Sequence, residues 1–242
     1  LWIKTRSVGN DHRIHSPQLT ASDYFLQTNT ANAQSQNTNC VTSFDTDGFT
    51  LGNTDAGWNG SGVTFASWNW RASGTSGSSN TDGSITSTVS ASTTSGFSIV
   101  KWTGSGGNAT IGHGLGAGAV PKMIIVKSLA NTTSWMVYHS AIGNNSEIYL
   151  NGTNAAAGSS TAWQDTDPTS SVFYVAGGGG DGVNASGDYV AYCFAEKKGF
   201  SKFGSYVGNG NANGGFLYCG FKPAFLLLKN SSDGAKNWEM LD

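Results

Sequence analysis

Side chains able to carry acid–base chemistry are scarce in this sequence. Its glutamates are Glu147, Glu196 and Glu239, each isolated from the others. A retaining glycosidase needs two carboxyl groups about 5 Å apart. On lectin-like sandwiches such pairs sit a few residues apart on one strand, and no Glu-x-Asp-x-x-Glu run occurs here. Glu196, followed by Lys197 and Lys198, reads as a solvated turn. The expectation is a protein that is not an enzyme. Aspartates pair in two loops, Asp45-Thr46-Asp47 and Asp165-Thr166-Asp167. Such pairs offer oxygens to Ca²⁺, yet the spacing of a dedicated calcium loop with its distal Glu is missing. Asx turns before a strand explain them more simply. No cofactor is therefore expected, with calcium at Asp45, Asp47, Asp165 and Asp167 as the alternative. The histidines (His12, His15, His113 and His139) follow no ligand spacing. Cys40, Cys193 and Cys219 are too far apart for a zinc site and odd in number for a disulfide framework.

Recognition of sugars needs aromatic faces beside amides and carboxylates, because the C–H surface of a sugar packs on a ring. Trp58, in Asp55-Ala56-Gly57-Trp58-Asn59-Gly60, and Trp163, in Thr161-Ala162-Trp163-Gln164-Asp165, have loop-like surroundings. Trp58, Asn59, Trp163 and Asp165 are accordingly the candidate glycan contacts. The competing reading is that these rings close the ends of a sandwich. Trp68, Trp70, Trp102 and Trp135 are assigned to the core.

The elements that must position these residues are short and numerous. Only 12% of the 242 residues are charged and 34 are Gly, against a usual quarter charged. A net charge of −2 argues against disorder and against electrostatic nucleic-acid binding. No apolar run is long enough for a membrane helix, so no membrane insertion is expected. Solubility rests on Ser, Thr, Asn and Gly, as is common on secreted and virion surfaces. The chain opens at Leu1 directly into a strand-like run and stops just after Trp238, and so reads as a piece of a longer polypeptide.

Internal repetition organises the chain. Leu1-Trp2-Ile3-Lys4, Met123-Ile124-Ile125-Val126-Lys127 and Phe225-Leu226-Leu227-Leu228-Lys229 are apolar runs closed by Lys. Each is followed by a second run, at Arg13–Ser16, Trp135–Ser140 and Trp238–Asp242. Residues 59–68 match 184–193, which sets Cys193 against Trp68, and Val183 stands where the first copy has Trp58. Phe97–Gly104 matches Phe200–Gly208 with one gap. The expected unit is about a hundred residues long. Residues 1–95 would hold an N-terminally incomplete first unit with a Ser/Thr/Gly-rich linker at 73–95. Residues 96–199 would form a complete second unit, and 200–242 the opening of a third.

Short runs bounded by Gly, Asn, Ser and Thr read as strands. They fall near Phe97–Thr103, Ala109–Ile111, Lys122–Ser128, Trp135–His139, Glu147–Leu150, Val172–Ala176 and Asp188–Ala195. Phe203, Ser205 and Val207 alternate like a half-exposed strand. No run is a convincing helix. The fold class is all-β, as tandem β-sandwich (jelly-roll or lectin-like) repeats. Gly177–Gly180 is a flexible loop, not a phosphate cradle.

Three segments carry a family likeness: Ser43-Phe44-Asp45-Thr46-Asp47-Gly48-Phe49-Thr50-Leu51-Gly52, Tyr189–Lys197 and Phe200–Tyr206, with Gly220-Phe221-Lys222-Pro223-Ala224-Phe225-Leu226 beside them. At these residues the chain resembles a repeated β domain of tail-fibre and other appendage proteins of tailed-phage virions. The resemblance implies an extracellular virion component, a homo-oligomer touching copies of itself or other virion proteins, and contact with a host-surface glycan. The alternative is a carbohydrate-binding, lectin-like module of a secreted or cell-surface protein.

Overall fold

The structure, a computed structural model, describes residues 1–52, 54–158, 161–177 and 182–242. Among them there is no helix. The first half of the chain contains β1 (Trp2–Thr5), β2 (Arg13–Ile14), β3 (Tyr24–Gln27), β4 (Ser35–Gln36), β5 (Val41–Phe44), β6 (Phe49–Leu51) and β7 (Phe65–Trp68). Then follow β8 (Ser78–Asn80), β9 (Ser87–Ser92), β10 (Phe97–Gly104), β11 (Ala109–Gly112), β12 (Pro121–Ser128) and β13 (Met136–His139). The last are β14 (Ser146–Tyr149), β15 (Ala157–Gly158), β16 (Val172–Val175), β17 (Gly187–Ala195), β18 (Leu226–Lys229) and β19 (Trp238–Leu241).

Two large antiparallel sheets dominate. One has the order β4-β3-β2-β1-β7, and the other β15-β14-β13-β12-β17-β10-β9-β8. The first five places of the longer sheet repeat the order of the shorter one. The registers agree as well. Counted from the terminal lysines, Lys4 faces Ala66 as Lys127 faces Val190, and Trp2 faces Trp68 as Ile125 faces Tyr192. Just beyond the lysines, Arg6 N–H donates to the Thr64 carbonyl and Leu129 N–H to the Asp188 carbonyl, both at 2.8 Å. The register therefore corrects two alignments made from the sequence. Trp68 corresponds to Tyr192 and not to Cys193, and His15 to Tyr138 and not to His139. The third apolar pair forms the same motif, β18 against β19.

Alternation along the strands assigns side chains to faces. On β17, Tyr189, Ala191 and Cys193 enter one core, while Val190 and Tyr192 enter another. The first of these cores lies under β11–β16. The second is shared with Trp2, Ile14 and Leu26 of the five-stranded sheet. That sheet buries Ile3 and Phe25 on its far side, in a third core with residues of β5 and β6. The two large sheets thus pack face to face as inner layers, with a two-stranded ribbon outside each. This corrects the expectation of self-contained sandwiches strung in a row, because the central core is built by both halves.

Residues 73–95, expected as a linker, contribute β8 and β9 to the eight-stranded sheet. Residues 203–207, expected as a strand, pair with nothing among the described residues. Of the Gly177–Gly180 loop, Gly178–Gly180 lie outside the described residues.

Candidate functional site

The predicted ring contacts are core residues. Trp58 and Trp163 are each 2% exposed, so neither presents a face to a sugar. Trp58 donates from Nε1 to His15 Nε2 at 2.8 Å, stands edge-on to Phe25, and carries the Arg13 guanidinium 4.1 Å above its ring. Arg13 Nη1 in turn donates to the Gly57 carbonyl. Truncating a buried Trp costs about 3–5 kcal/mol, which gives Trp58 a structural role without any ligand. Trp163 packs edge-on against Tyr138 in the core under β11–β16. Asn59 and Asp165 are exposed, and Asp165 has a left-handed backbone with φ +48°.

The paired aspartates shape turns. Asp45 N–H closes the β5–β6 turn onto the Gly48 carbonyl, and its carboxylate accepts from Thr50 Oγ1 at 2.8 Å. Asp167 accepts from the Tyr138 hydroxyl at 3.1 Å. Asp45, Asp47, Asp165 and Asp167 are all exposed, and no three His, Cys, Asp or Glu side chains converge among the described residues. The glutamates are engaged singly, Glu147 with the Tyr149 hydroxyl at 2.6 Å and Glu196 with Lys202 at 2.7 Å.

A concave surface lies at other residues than these. A cleft of about 570 Å³ opens between β1, β7, the turn after β14 and the β18–β19 hairpin. Three indoles, Trp2, Trp68 and Trp238, line it together with Lys4, Arg6, His12, Asn29, Asn151, Asn237, Glu239 and Asp242. Several of these are held rigidly. Trp2 Nε1 donates to His12 Nδ1 at 3.1 Å, which leaves the proton of neutral His12 on Nε2. Burial, and then the charge of Lys4, pull the His12 pKa down, so the neutral form is favoured. The Asn29 amide accepts from His12 N–H and donates to Asp11 at 2.7 Å. Asn151 Oδ1 accepts from Trp135 N–H at 2.8 Å, and Trp238 Nε1 donates to the Tyr149 carbonyl at 2.8 Å. Trp68 Nε1 is buried in the wall with no partner among the described residues. An orphan donor of this kind costs roughly 1–3 kcal/mol.

The family described as "Domain of unknown function (DUF7483)" matches residues 1–242. The chain belongs to that family. Its description assigns no activity, and no curated protein and no solved structure matches the chain. Rings, amides and charges of both signs around one concavity suit a polyhydroxylated ligand better than an apolar or strongly charged one. The residues were hard to find because the cleft is assembled from five distant stretches. Trp238 lies in a run that the sequence marks only as a repeat of Trp135–Ser140.

Proposed function

We propose that this chain is a non-enzymatic structural component of a virion appendage such as a tail fibre, built from a duplicated β unit of about a hundred residues. Its contribution to host attachment is binding of a surface glycan in the cleft lined by Trp2, Trp68 and Trp238. The observation that carries this reading is a junction that recurs. Trp135 Nε1 donates to the Gln27 carbonyl, the last residue of β3, at 2.9 Å. Trp238 Nε1 donates to the Tyr149 carbonyl, the last residue of β14, at 2.8 Å. Beside these, Gln34 N–H reaches the Leu129 carbonyl at 3.2 Å and Ala156 N–H reaches the Ser231 carbonyl at 2.9 Å. Each hairpin seats on the preceding sheet in the same way, as a stacking array of like units requires. The likeness to tail-fibre domains and the weakly charged, Gly-rich surface support the extracellular setting. Calcium remains outside this proposal, because the paired aspartates are used in turns.

Two measurements test it. Antibody raised against the chain should label the tails of intact virions in electron microscopy, and labelling absent from purified particles would count against the appendage role. For the cleft, the double variant Asn237→Ala and Glu239→Ala changes two exposed lining residues. Binding to host-surface polysaccharide is expected to fall about tenfold, the worth of one or two hydrogen bonds, with an unchanged melting temperature. Equal binding by parent and variant would exclude the cleft. A carbohydrate-binding module of a secreted protein is the second reading, favoured by the same indole-lined cleft. Glycan binding without virion labelling would select it.

A further inference from the structure

Three hairpins of this chain match in register and differ at one ring. Arg13 pairs with Ile3, Met136 with Val126 and Glu239 with Leu228. The residues just before them are His12, Trp135 and Trp238. The two indoles do not titrate, and each donates its ring N–H to a carbonyl of a neighbouring sheet. His12 alone of the three can change its charge near neutral pH, and it stands in the wall of the indole-lined cleft. It is held there from both sides. Its N–H donates to Asn29 Oδ1 at 3.1 Å, and its carbonyl accepts from Thr28 N–H at 3.3 Å. With the backbone pinned, the ring offers Nδ1 to Trp2 Nε1 at 3.1 Å, the two rings edge-on with centroids 6.0 Å apart. Trp2 in turn stands edge-on to Trp68, 6.4 Å away, and all three rings line the cleft. A neutral imidazole accepts the indole N–H, whereas an imidazolium carries N–H at both nitrogens and cannot. Acid therefore sets two donors against each other at the point where this wall is fastened.

We propose that His12 is an acid-operated release for the cleft, which holds its glycan while this ring is neutral and lets go when the ring takes a proton. The inference rests on the reading of the cleft as the glycan site. The charges around the ring bear on its sign. Lys4 of β1 and Arg6 beyond it line the cleft with His12, and Glu239 and Asp242 line it from the β18–β19 hairpin. Asp11 precedes the ring, its carboxylate accepting from Gln27 and Asn29. Burial and then Lys4 lower the His12 pKa, and Asp11 acts the other way. The ring is thus neutral at pH 7 and takes its proton only below the ordinary 6.5. A site competent only with a neutral ring keeps its affinity above that pH. Below the folded pKa it loses about tenfold per pH unit. The other two hairpins, with indoles at this position, have no such response.

Affinity for polysaccharide purified from the host surface, measured between about pH 7.5 and about pH 4.5, tests it. Circular dichroism at each pH keeps unfolding apart from release. Parent affinity should hold at the upper end and fall at the lower. His12→Gln, whose amide oxygen accepts from Trp2 at every pH, should lose that dependence, whatever its affinity at neutral pH. Without ligand, the Trp2 indole N–H resonance, identified by its loss in Trp2→Phe, should shift with the midpoint of the His12 ring. Parent affinity that stays level, or a fall that His12→Gln shares, overturns the proposal and leaves the glycan reading standing. If no polysaccharide binds at any pH, the glycan reading falls. A Trp2 resonance that ignores the His12 midpoint then overturns the switch as well, and one that follows it keeps the switch.

Discussion

The four histidines act alike, and through them the fold responds to acid. Each accepts a hydrogen bond at one ring nitrogen. His12 accepts from Trp2, His15 from Trp58, His113 from Leu115 N–H and His139 from Ala141 N–H. Protonation removes the acceptor, and burial already holds all four pKa values below the ordinary range. His15, with no exposed surface, is lowered furthest, to about 4 from 6.5, by desolvation. A base whose folded pKa is depressed binds fewer protons folded than unfolded, so its contribution is complete above pH 6.5 and is lost as pH falls toward 4. At 1.36 kcal/mol per unit, His15 accounts for on the order of 3 kcal/mol across that window. Urea unfolding at pH 7 and pH 4.5 should show this loss. His15→Gln, whose amide oxygen still accepts from Trp58, should flatten the slope; an unchanged slope would remove His15 as its source. Lys127 belongs to the same kind of chemistry. It is fully buried, with desolvation lowering its pKa to about 8, and it donates to the Ser128 and Asn131 carbonyls. The lysines that recur in sequence therefore hold strand ends and turns, since Lys4 donates to the Thr5 carbonyl at the end of β1 and Lys229 to the Lys236 carbonyl in the turn before β19.

Elements were legible where apolar residues alternate, and obscure where serine takes their place. The seven strands expected between Phe97 and Ala195 all form, with ends shifted by a residue or so. β9 breaks the apolar alternation because serines are buried on both its faces, Ser87 on one and Ser90 on the other, each 2% exposed. Hydrogen bonds from Ser87 to the Gly112 carbonyl and from Ser90 to the Thr75 carbonyl make that burial affordable. Hydropathy cannot register such a strand. The converse error at residues 203–207 has the opposite cause, since an alternating pattern forms no strand without an edge to join. The same region yields a prediction. Gly77 leads into β8 with φ +96°, and a Cβ there would lie 2.7 Å from the Val89 backbone. Gly77→Ala combines a strained backbone with a clash and should cost about 1–3 kcal/mol. For a chain of this size that lowers the melting temperature by roughly 2–10 °C. Gly48→Ala, with open space and no positive φ, is the matched control and should leave melting unchanged.

At the scale of the whole molecule, the shared central core decides cooperativity. Trp70 meets Phe97 and Phe194, Trp2 meets Trp68 and Trp70, and Phe225 meets Trp68 and Trp70, every pair edge-on or tilted. This aromatic chain runs across both large sheets and the start of the third hairpin. Units with separate cores would unfold in separate steps. Here, removing either sheet exposes the face of the other, so calorimetry should record one transition with calorimetric and van't Hoff enthalpies in agreement. Two resolved transitions would show that the units hold their structure alone.

By itself the sequence determined the all-β class, most strand positions, the succession of three Lys-terminated runs and their followers, and the packing role of Trp102 and Trp135. These follow from local alternation and turn chemistry, which each segment carries within itself. Tertiary structure alone decided that the two sheets face each other, that Trp58 and Trp163 lie inside, and that Trp2, Trp68 and Trp238 meet in one cleft. Those facts depend on which faces remain to be covered once the strands have paired, a property of the assembled sheets that no single stretch of chain encodes.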